Sequence, residues 1–424
     1  MKRVCIKLFV ISIILKSIPA WCQSLNEVLV AVNERNPEIA AARSILSQTY
    51  DEIPTAWSNF LPDLSLSTSI NRSLTDDKYD NSSSRANSFS NTLTLSQDLF
   101  NLQHDEQFQK AKLNIEKQEQ TFRSVQQSTL MSTITAYLAI IKSKNIVDLR
   151  TKSVEVLKSH LDSTTIQHEM RRRTNADLAQ AESRLAKGNA DKLASQVDYN
   201  VALSTYRRLV GAEPIDLPMP SFENDFPQNI KEIEKIAITE HPNVLVASIN
   251  VDAAKSDIQS KENAFGPTLS LSGSISKSST NNKASANTGS TVSSIGLTLS
   301  IPLYQKGAEY TELSTARKAL KQAESEFDTA KRLAIDNLQR EWERKKGASV
   351  KILAYEAQVK AASIALDSVR LELKAGRRTL LNLLDAEQEL LNARVNLASA
   401  EHDLILTKYK LQERVGRLHT LVTQ

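Results

Sequence analysis

Cysteine is nearly missing from this chain: there are two in 424 residues, Cys5 and Cys22, and both fall within the first 22. If that segment is removed, the mature chain carries no thiol. Glycine (10) and aromatics (5%) are scarce, while Ala, Leu, Lys, Glu and Gln are plentiful, a balance that favours long helices with few tight turns. Basic charge is not concentrated either. A net charge of +4 in a chain that is 24% charged argues against a nucleic-acid binder. The motifs of common enzymes are lacking: there is no phosphate-cradling glycine loop, no HExxH and no GxSxG. The six histidines, His160, His168 and His402 among them, are scattered among helical polar residues and give no metal-ligand spacing. Paired acids such as Asp76-Asp77 fall in an expected loop, where solvated charge is the default. No catalytic residue, metal site or cofactor is expected.

Long apolar runs are also wanting. Leu8 to Leu15 is too short to span a bilayer and is followed by Lys16, and no other segment approaches the 18 residues a membrane helix needs. Any membrane crossing must then be made by strands. With Lys2 and Arg3 before the apolar run and Ala20-Trp21-Cys22 after it, residues 1–22 read as a secretory signal peptide. Cys22 as a lipidated N-terminus is the alternative, which Trp21 fits poorly.

What is present is one unit written twice. LNEVLVAVNERNP, ending at Pro37, aligns with IKEIEKIAITEHP, ending at Pro242, an offset of 205 residues. The same offset pairs Pro62 with Pro267, Thr174 with Thr379, and Val210-Gly211 with Val415-Gly416. This gives a first repeat over 23–210, a proline-rich linker over 211–229, a second repeat over 230–416 and a tail over 417–424. Pro214, Pro218, Pro220 and Pro227 bar the linker from helix or central strand.

Each copy is expected to run from short helices into a strand hairpin (about 61–100 and 267–304), then a helical hairpin (about 104–210 and 308–416). In the first hairpin Leu64, Leu66 and Ile70 alternate with serines; in the second Leu269, Leu271 and Ile275 do, and so do Ile295, Leu297, Leu299 and Ile301. Period two gives one apolar and one polar face. Leu74 to Asn87 and Ser279 to Thr291 are polar and read as long outer loops, the pattern of outer-membrane barrels. Four strands cannot close a barrel and open edges cannot sit in lipid, so a membrane-spanning version must oligomerise.

The helical signal is stronger. Asp105 to Glu169 and Glu309 to Leu373 are 65 residues each without proline, which at 1.5 Å per residue is roughly 100 Å. Leu313, Ala316, Leu320, Ala323, Phe327 and Ala330 step by three and four, as do Leu383, Ala386, Leu390, Ala393, Leu397, Ala400, Leu404, Thr407 and Leu411. This is an a/d seam with small residues alternating against leucine, suited to close coiled-coil packing. Leu178, Ala181 and Leu185 keep the seam in copy one, where Gly188 and Lys192 interrupt it.

This doubled helix–hairpin–long helix–turn–helix unit behind a signal peptide resembles the TolC-like outer-membrane factor family over nearly the whole mature chain. LKAGRRTLLNLLDA, Leu373 to Ala386, looks like the family's second helical tip, and MRRRTNADLAQAE, from Met170, like its first. ALSTYRRLVGAEP resembles the first-repeat end of members serving type I secretion. The resemblance implies a mainly α chain with membrane β: a trimeric twelve-stranded barrel, four strands per chain, continued by a long helical coiled-coil tunnel across the periplasm. It implies a homotrimer in the outer membrane of a Gram-negative cell, working with a periplasmic adaptor and an inner-membrane ABC, RND or MFS pump, for protein secretion or multidrug efflux. It places Arg378 and Asp177 as a gate latch, Asn382 and Asp385 at the tunnel constriction, and Arg171, Thr174, Gly376 and Thr379 at helical-tip turns that meet the adaptor.

Three positions depart from the family pattern. Asn382 stands where a second aspartate ring is common, which implies weaker cation affinity at the mouth. Arg171 replaces a glycine, so the first turn is expected to differ in shape from the second. Leu373 replaces a tyrosine of the latch. A trimeric surface stalk or adhesin is the competing reading, but only two short outer segments exist to carry a passenger. A periplasmic adaptor would need a glycine-rich β-domain that the chain lacks.

Overall fold

The computed structural model describes residues 24–77, 82–220, 229–282 and 288–423. The expected signal peptide and Pro227 lie outside these residues. The chain divides into two compact units, one of Met1–Asn36, Ser132–Asn224 and Gly347–Leu406, the other of Pro37–Met131, Asp225–Lys346 and Thr407–Gln424.

The first unit holds α1 (Leu25–Arg35) and α5 (Asn175–Val210), together with stretches of α4 (Leu102–Glu169), α8 (Ala308–Lys374) and α9 (Leu380–Val415). Helix α1 starts where Ser24 and Glu27 form a reciprocal capping box. It buries Leu25, Val28, Leu29 and Val32, spaced for one helical face. Asn36 closes the helix and donates from Nδ2 to the Leu209 carbonyl of α5 at 2.8 Å. Helices α4 and α8 run unbroken for 68 and 67 residues, because no proline interrupts them. Every seam position predicted on α8 and α9 is buried or half-buried. Leu157 of α4, Ala362 and Leu366 of α8, and Leu380, Leu383, Leu384 and Leu390 of α9 form one apolar cluster.

The second unit holds α2 (Pro37–Tyr50), α3 (Glu52–Ser58), α6 (Ile230–Glu240), α7 (Pro242–Asn263), the sheet and α10 (Thr420–Thr423). Copy one breaks into α2 and α3 where copy two has α7 alone. Pro54 explains the break, since its ring would meet the Tyr50 carbonyl of a continuous helix. Ile233 and Ala237 of α6 pack with Leu338, Leu411 and Val415 in a second apolar cluster. The tail is docked rather than loose. Leu418 is fully buried, and Arg417 donates from Nε and Nη2 to the two Glu240 oxygens at 2.6 Å each.

The sheet has four antiparallel strands in chain order: β1 (Asp63–Asp77), β2 (Ser82–Phe100), β3 (Thr268–Asn282) and β4 (Thr288–Ser300). Its register sorts the faces. Leu64, Leu95, Gly273 and Ile295 share one cross-strand row, and Leu66, Leu93 and Ile275 the next. The opposite face is hydroxyl-rich, with Thr92–Ser276, Ser274–Ser294 and Ser278–Ser290 oxygen pairs at 2.8–3.0 Å.

One expectation fails here. The segments read as long loops are largely strand, with Leu74 paired to Arg85, Asp77 to Ser82 and Thr280 to Thr288. A ladder uses backbone groups, which serine and asparagine supply as well as leucine does. The rest of those segments lies outside the described residues.

Candidate functional site

The two helical tips are built from matching bonds. At the first, Met170 N–H donates to Ile166 O, Arg171 to His168 O and Arg172 to Gln167 O, at 3.1, 2.8 and 2.8 Å. At the second, Ala375 donates to Leu371 O, Gly376 to Leu373 O and Arg377 to Glu372 O, at 3.0, 3.0 and 2.9 Å. The i→i−5 and i→i−3 bonds make each turn a Schellman motif. The residue at its left-handed position is Gly376 (φ 74°) in one and Arg171 (φ 55°) in the other. The expectation that the first turn would take another shape is therefore corrected. Helix ends that close with the same three bonds force the left-handed position on whatever residue stands there. Arg171 adopts it at a cost of about 1 kcal/mol relative to glycine.

Beyond each turn the next helix is capped the same way. Thr174 accepts the Asp177 N–H at 3.1 Å and Asp177 accepts the Thr174 N–H at 3.2 Å. Thr379 and Asn382 repeat the arrangement at 3.4 and 3.1 Å. The Thr174 backbone N–H holds the Asp177 carboxyl below its usual range, helped by its hydroxyl and by Arg173. Asn382, which lacks the charge, fills the same role with a carboxamide oxygen. Thr174 and Thr379 are thus helix caps, and the side chains of Asp177 and Asn382 turn back onto them.

Within one chain Asp177 and Arg378 are not paired. Arg378 Nε donates to Glu372 Oε2 at 2.6 Å across its own turn. Arg173 does the same at the other tip, to Gln167 Oε1 at 3.1 Å. The Glu372 carboxylate was missed from sequence, though its offset from Gln167 marks it. Leu373 packs against the apolar cluster.

Above the tips lies a second polar group that sequence reading did not find. Asp385 Oδ1 accepts from Arg184 Nη2 of α5 at 2.5 Å. Two residues on, Glu387 Oε1 accepts from Arg370 Nη2 of α8 at 3.2 Å and sits 3.0 Å from His160 Nε2 of α4. Helix α9 is thereby held to both helices of the first hairpin. His160 and Arg184 are isolated letters in sequence, and only the packing of four helices brings them to acids more than 200 residues away.

A family profile described as "Outer membrane efflux protein" matches residues 28–212 and again 235–417, one match per repeat. The chain is 27% identical over 404 residues to outer membrane efflux protein BepC of Brucella suis, covering 94% of this chain and 86% of BepC. It is 23% identical over 410 residues to outer membrane protein TolC of Escherichia coli, covering 94% and 83%. Its fold matches the CmeC outer membrane channel of Campylobacter jejuni with a TM-score of 0.80 at 16% identity, covering 93% of this chain and 86% of CmeC. Two tandem matches over nearly the whole length establish that the chain belongs to the outer membrane efflux protein family.

Proposed function

We propose that three copies of this chain form an outer-membrane exit duct for substrate delivered by an inner-membrane pump through a periplasmic adaptor. The single observation that carries the oligomeric reading is the sheet. Among the described residues, the outer edges of strands β1 and β4 have no partner, and one face exposes Leu66, Ile70, Ile295 and Leu297. Strands of 13 to 19 residues exceed the 9–11 needed to span a bilayer. Open edges are not tolerated in hydrocarbon, so the strands close by joining other copies. Three chains of four strands make twelve. The apolar face then meets lipid and the serine face lines a water-filled passage.

At the other end of the hairpins, the helical tips are the proposed gate. Arg378 and Asp177, each engaged at its own turn, are proposed to be a latch between tips in the closed duct, with a charge-assisted bond strong enough to hold helices and weak enough for a docking partner to break. Asn382 and Asp385 are proposed to face the constriction, Asp385 giving a ring of three carboxylates. Arg171, Thr174, Gly376 and Thr379 shape the surface offered to the adaptor. The class of pump, whether ABC, RND or MFS, is set by that surface.

The oligomeric reading is tested by native mass of the detergent-solubilised protein, where a trimer is expected and a monomer would overturn the barrel. The constriction is tested by Asn382→Asp, which keeps the cap oxygen and adds a charge. Stronger block of the channel by divalent cations is expected, and unchanged block would place residue 382 away from the lumen.

A further inference from the structure

We infer that the membrane-facing side of the sheet carries a binding site for a phosphorylated glycolipid of the outer leaflet. Arg72, Arg85 and Lys277 hold its phosphates, and a groove at Gly273 takes one of its acyl chains. This rests on the barrel proposed above, in which the leucine face meets lipid.

The sheet distributes its charge unevenly. Over residues 65–74, 85–96, 270–281 and 288–300 the only charged side chains are Arg72, Arg85 and Lys277. The chain as a whole is nearly balanced, with 53 basic residues against 49 acidic, so three bases and no acid is a local bias. All three are exposed and stand on the apolar face. Arg72 lies between Ile70 and Leu74 on β1, Arg85 of β2 is paired with Leu74, and Lys277 follows Gly273 and Ile275 by even steps on β3. The serine face carries no charge over the same residues, although a water-filled lumen is where charge is cheap. On a lipid-facing side a cation is tolerated only toward the headgroups. Strand β1 follows α3 and β2 leads into α4, so the helices leave from the base of the strands and the three cations lie toward the hairpin ends. With the helices in the periplasm, that end is the outer leaflet. Toward the base the apolar face shows Leu271, Leu297 and Leu299 in their place.

Below the cations the same face is hollowed. Gly273 leaves a gap in the row of Leu64, Leu95 and Ile295, and with Leu93 and Ile275 these residues line an apolar groove of about 420 Å³. Lys277 stands four residues beyond Gly273 on the same strand, about 14 Å at 3.4 Å per residue. That is about half of a ~30 Å hydrocarbon core, the depth an acyl chain reaches from its headgroup. Lys277 belongs to a polar row, in which Thr68 donates to Asn91 Oδ1 at 2.8 Å. Arg72 is four residues farther toward the hairpin end than Thr68, and Arg85 lies opposite Leu74, two residues beyond Arg72. Long apolar stems let lysine and arginine heads converge on one headgroup from below and above. Guanidinium groups match phosphate oxygens in pairs. The ligand that fits is a lipid with more than one phosphate on its headgroup and acyl chains beneath it. A zwitterionic phospholipid would bring its own cation against three like charges.

The test is native mass spectrometry of detergent-solubilised trimers titrated with bisphosphorylated lipid A. Wild type is expected to bind it, and the triple variant Arg72→Ser, Arg85→Ser, Lys277→Ser to bind about tenfold more weakly or less, since its charge-assisted bonds are gone. Arg72→Lys with Arg85→Lys keeps the charge and should retain most of the binding. Gly273→Leu should weaken binding severalfold by filling the groove. A Cβ there meets Leu95 Cβ and the Ser294 carbonyl oxygen at 3.8 Å, ordinary contact distances, so the backbone stays in place. Phosphatidylglycerol and inorganic phosphate are the comparison ligands, and binding of either as strong as that of lipid A would overturn the glycolipid assignment. Unchanged lipid A binding in the triple variant, with trimers intact, would overturn the site and leave the duct reading standing. Monomers from the wild-type protein would overturn the barrel and the site with it.

Discussion

At the scale of single residues, the backbone rather than side-chain chemistry decides what the tips tolerate. Gly376 and Gly416 both lie in the left-handed region, at φ 74° and 90°, but in different surroundings. A Cβ on Gly376 would meet nothing within 4 Å, whereas one on Gly416 would come within 2.6 Å of the Glu240 carbonyl oxygen. Gly376→Ala should therefore cost only the conformational penalty, about 1–2 kcal/mol. Gly416→Ala should cost clearly more, since backbone has to shift. Arg171→Gly should be neutral or stabilising by up to about 1 kcal/mol, as relief of the left-handed arginine offsets the greater freedom of glycine in the unfolded chain. Denaturant unfolding of the three variants checks the order, and equal losses from the two alanine substitutions would contradict it. The exposed Arg378–Glu372 pair contributes under about 1 kcal/mol to stability, so an effect of Arg378 on gating would be an effect on the gate and not on the fold.

At the scale of elements, the C-terminal end of α9 and the tail that follows it make the fold sensitive to acid. His241 and His419 are both held below the ordinary histidine range, mainly by burial, with Arg414 beside the first and Arg123 beside the second. For a base whose folded pKa is depressed, the unfolded chain takes up the proton first. The stability these residues contribute is whole above about pH 6.5 and is lost as pH falls below it. Glu240, held below its usual range by the Arg417 hydrogen bonds, adds a loss at lower pH, on passing from the ordinary carboxylate value down through its own. Glu413 opposes both: burial raises it, so protonation on the way down to the ordinary value favours the folded state. The two histidines act first. Amide exchange in the segment after Gly416 is expected to quicken between about pH 6.5 and 5 while the α4 interior stays protected, and unchanged protection across that range would contradict the assignment.

The elements also show what the sequence could and could not disclose. Long helices were legible because a proline-free run with a three-four seam has one cheap conformation. The offset of 205 residues was legible because Pro37, Pro62, Thr174 and Gly211 are positions that backbone geometry constrains. The hairpin ends were not, because Ser83, Ser84 and Asn281 read as loop by composition and are strand by backbone pairing. Arg171 looked incompatible with its turn until the bonds of the helix end were seen to impose it. The Glu387 contacts had no local signal at all, since they join α9 to α4 and α8 through packing.

At the scale of the whole molecule, the duplication supplies two hairpins of strand and two of helix from a single chain. Family membership and the four-stranded sheet with open edges point the same way, to an assembly whose lumen is continuous only when several copies close it. Small residues alternating with leucine along α9 suit helices packed closely side by side. The polar groups at and above the tips are then the places where such a wall can be held shut. In the proposed duct, a passage lined by serine and threonine hydroxyls selects weakly among cargoes.

The most direct measurement is single-channel recording of the purified protein in a planar bilayer, wild type beside Arg378→Ser. Small wild-type steps that grow in the variant are predicted, for a pore whose helical end is held closed. No steps from either protein, with folded trimers confirmed by mass, would contradict a conduit and favour a coiled-coil stalk.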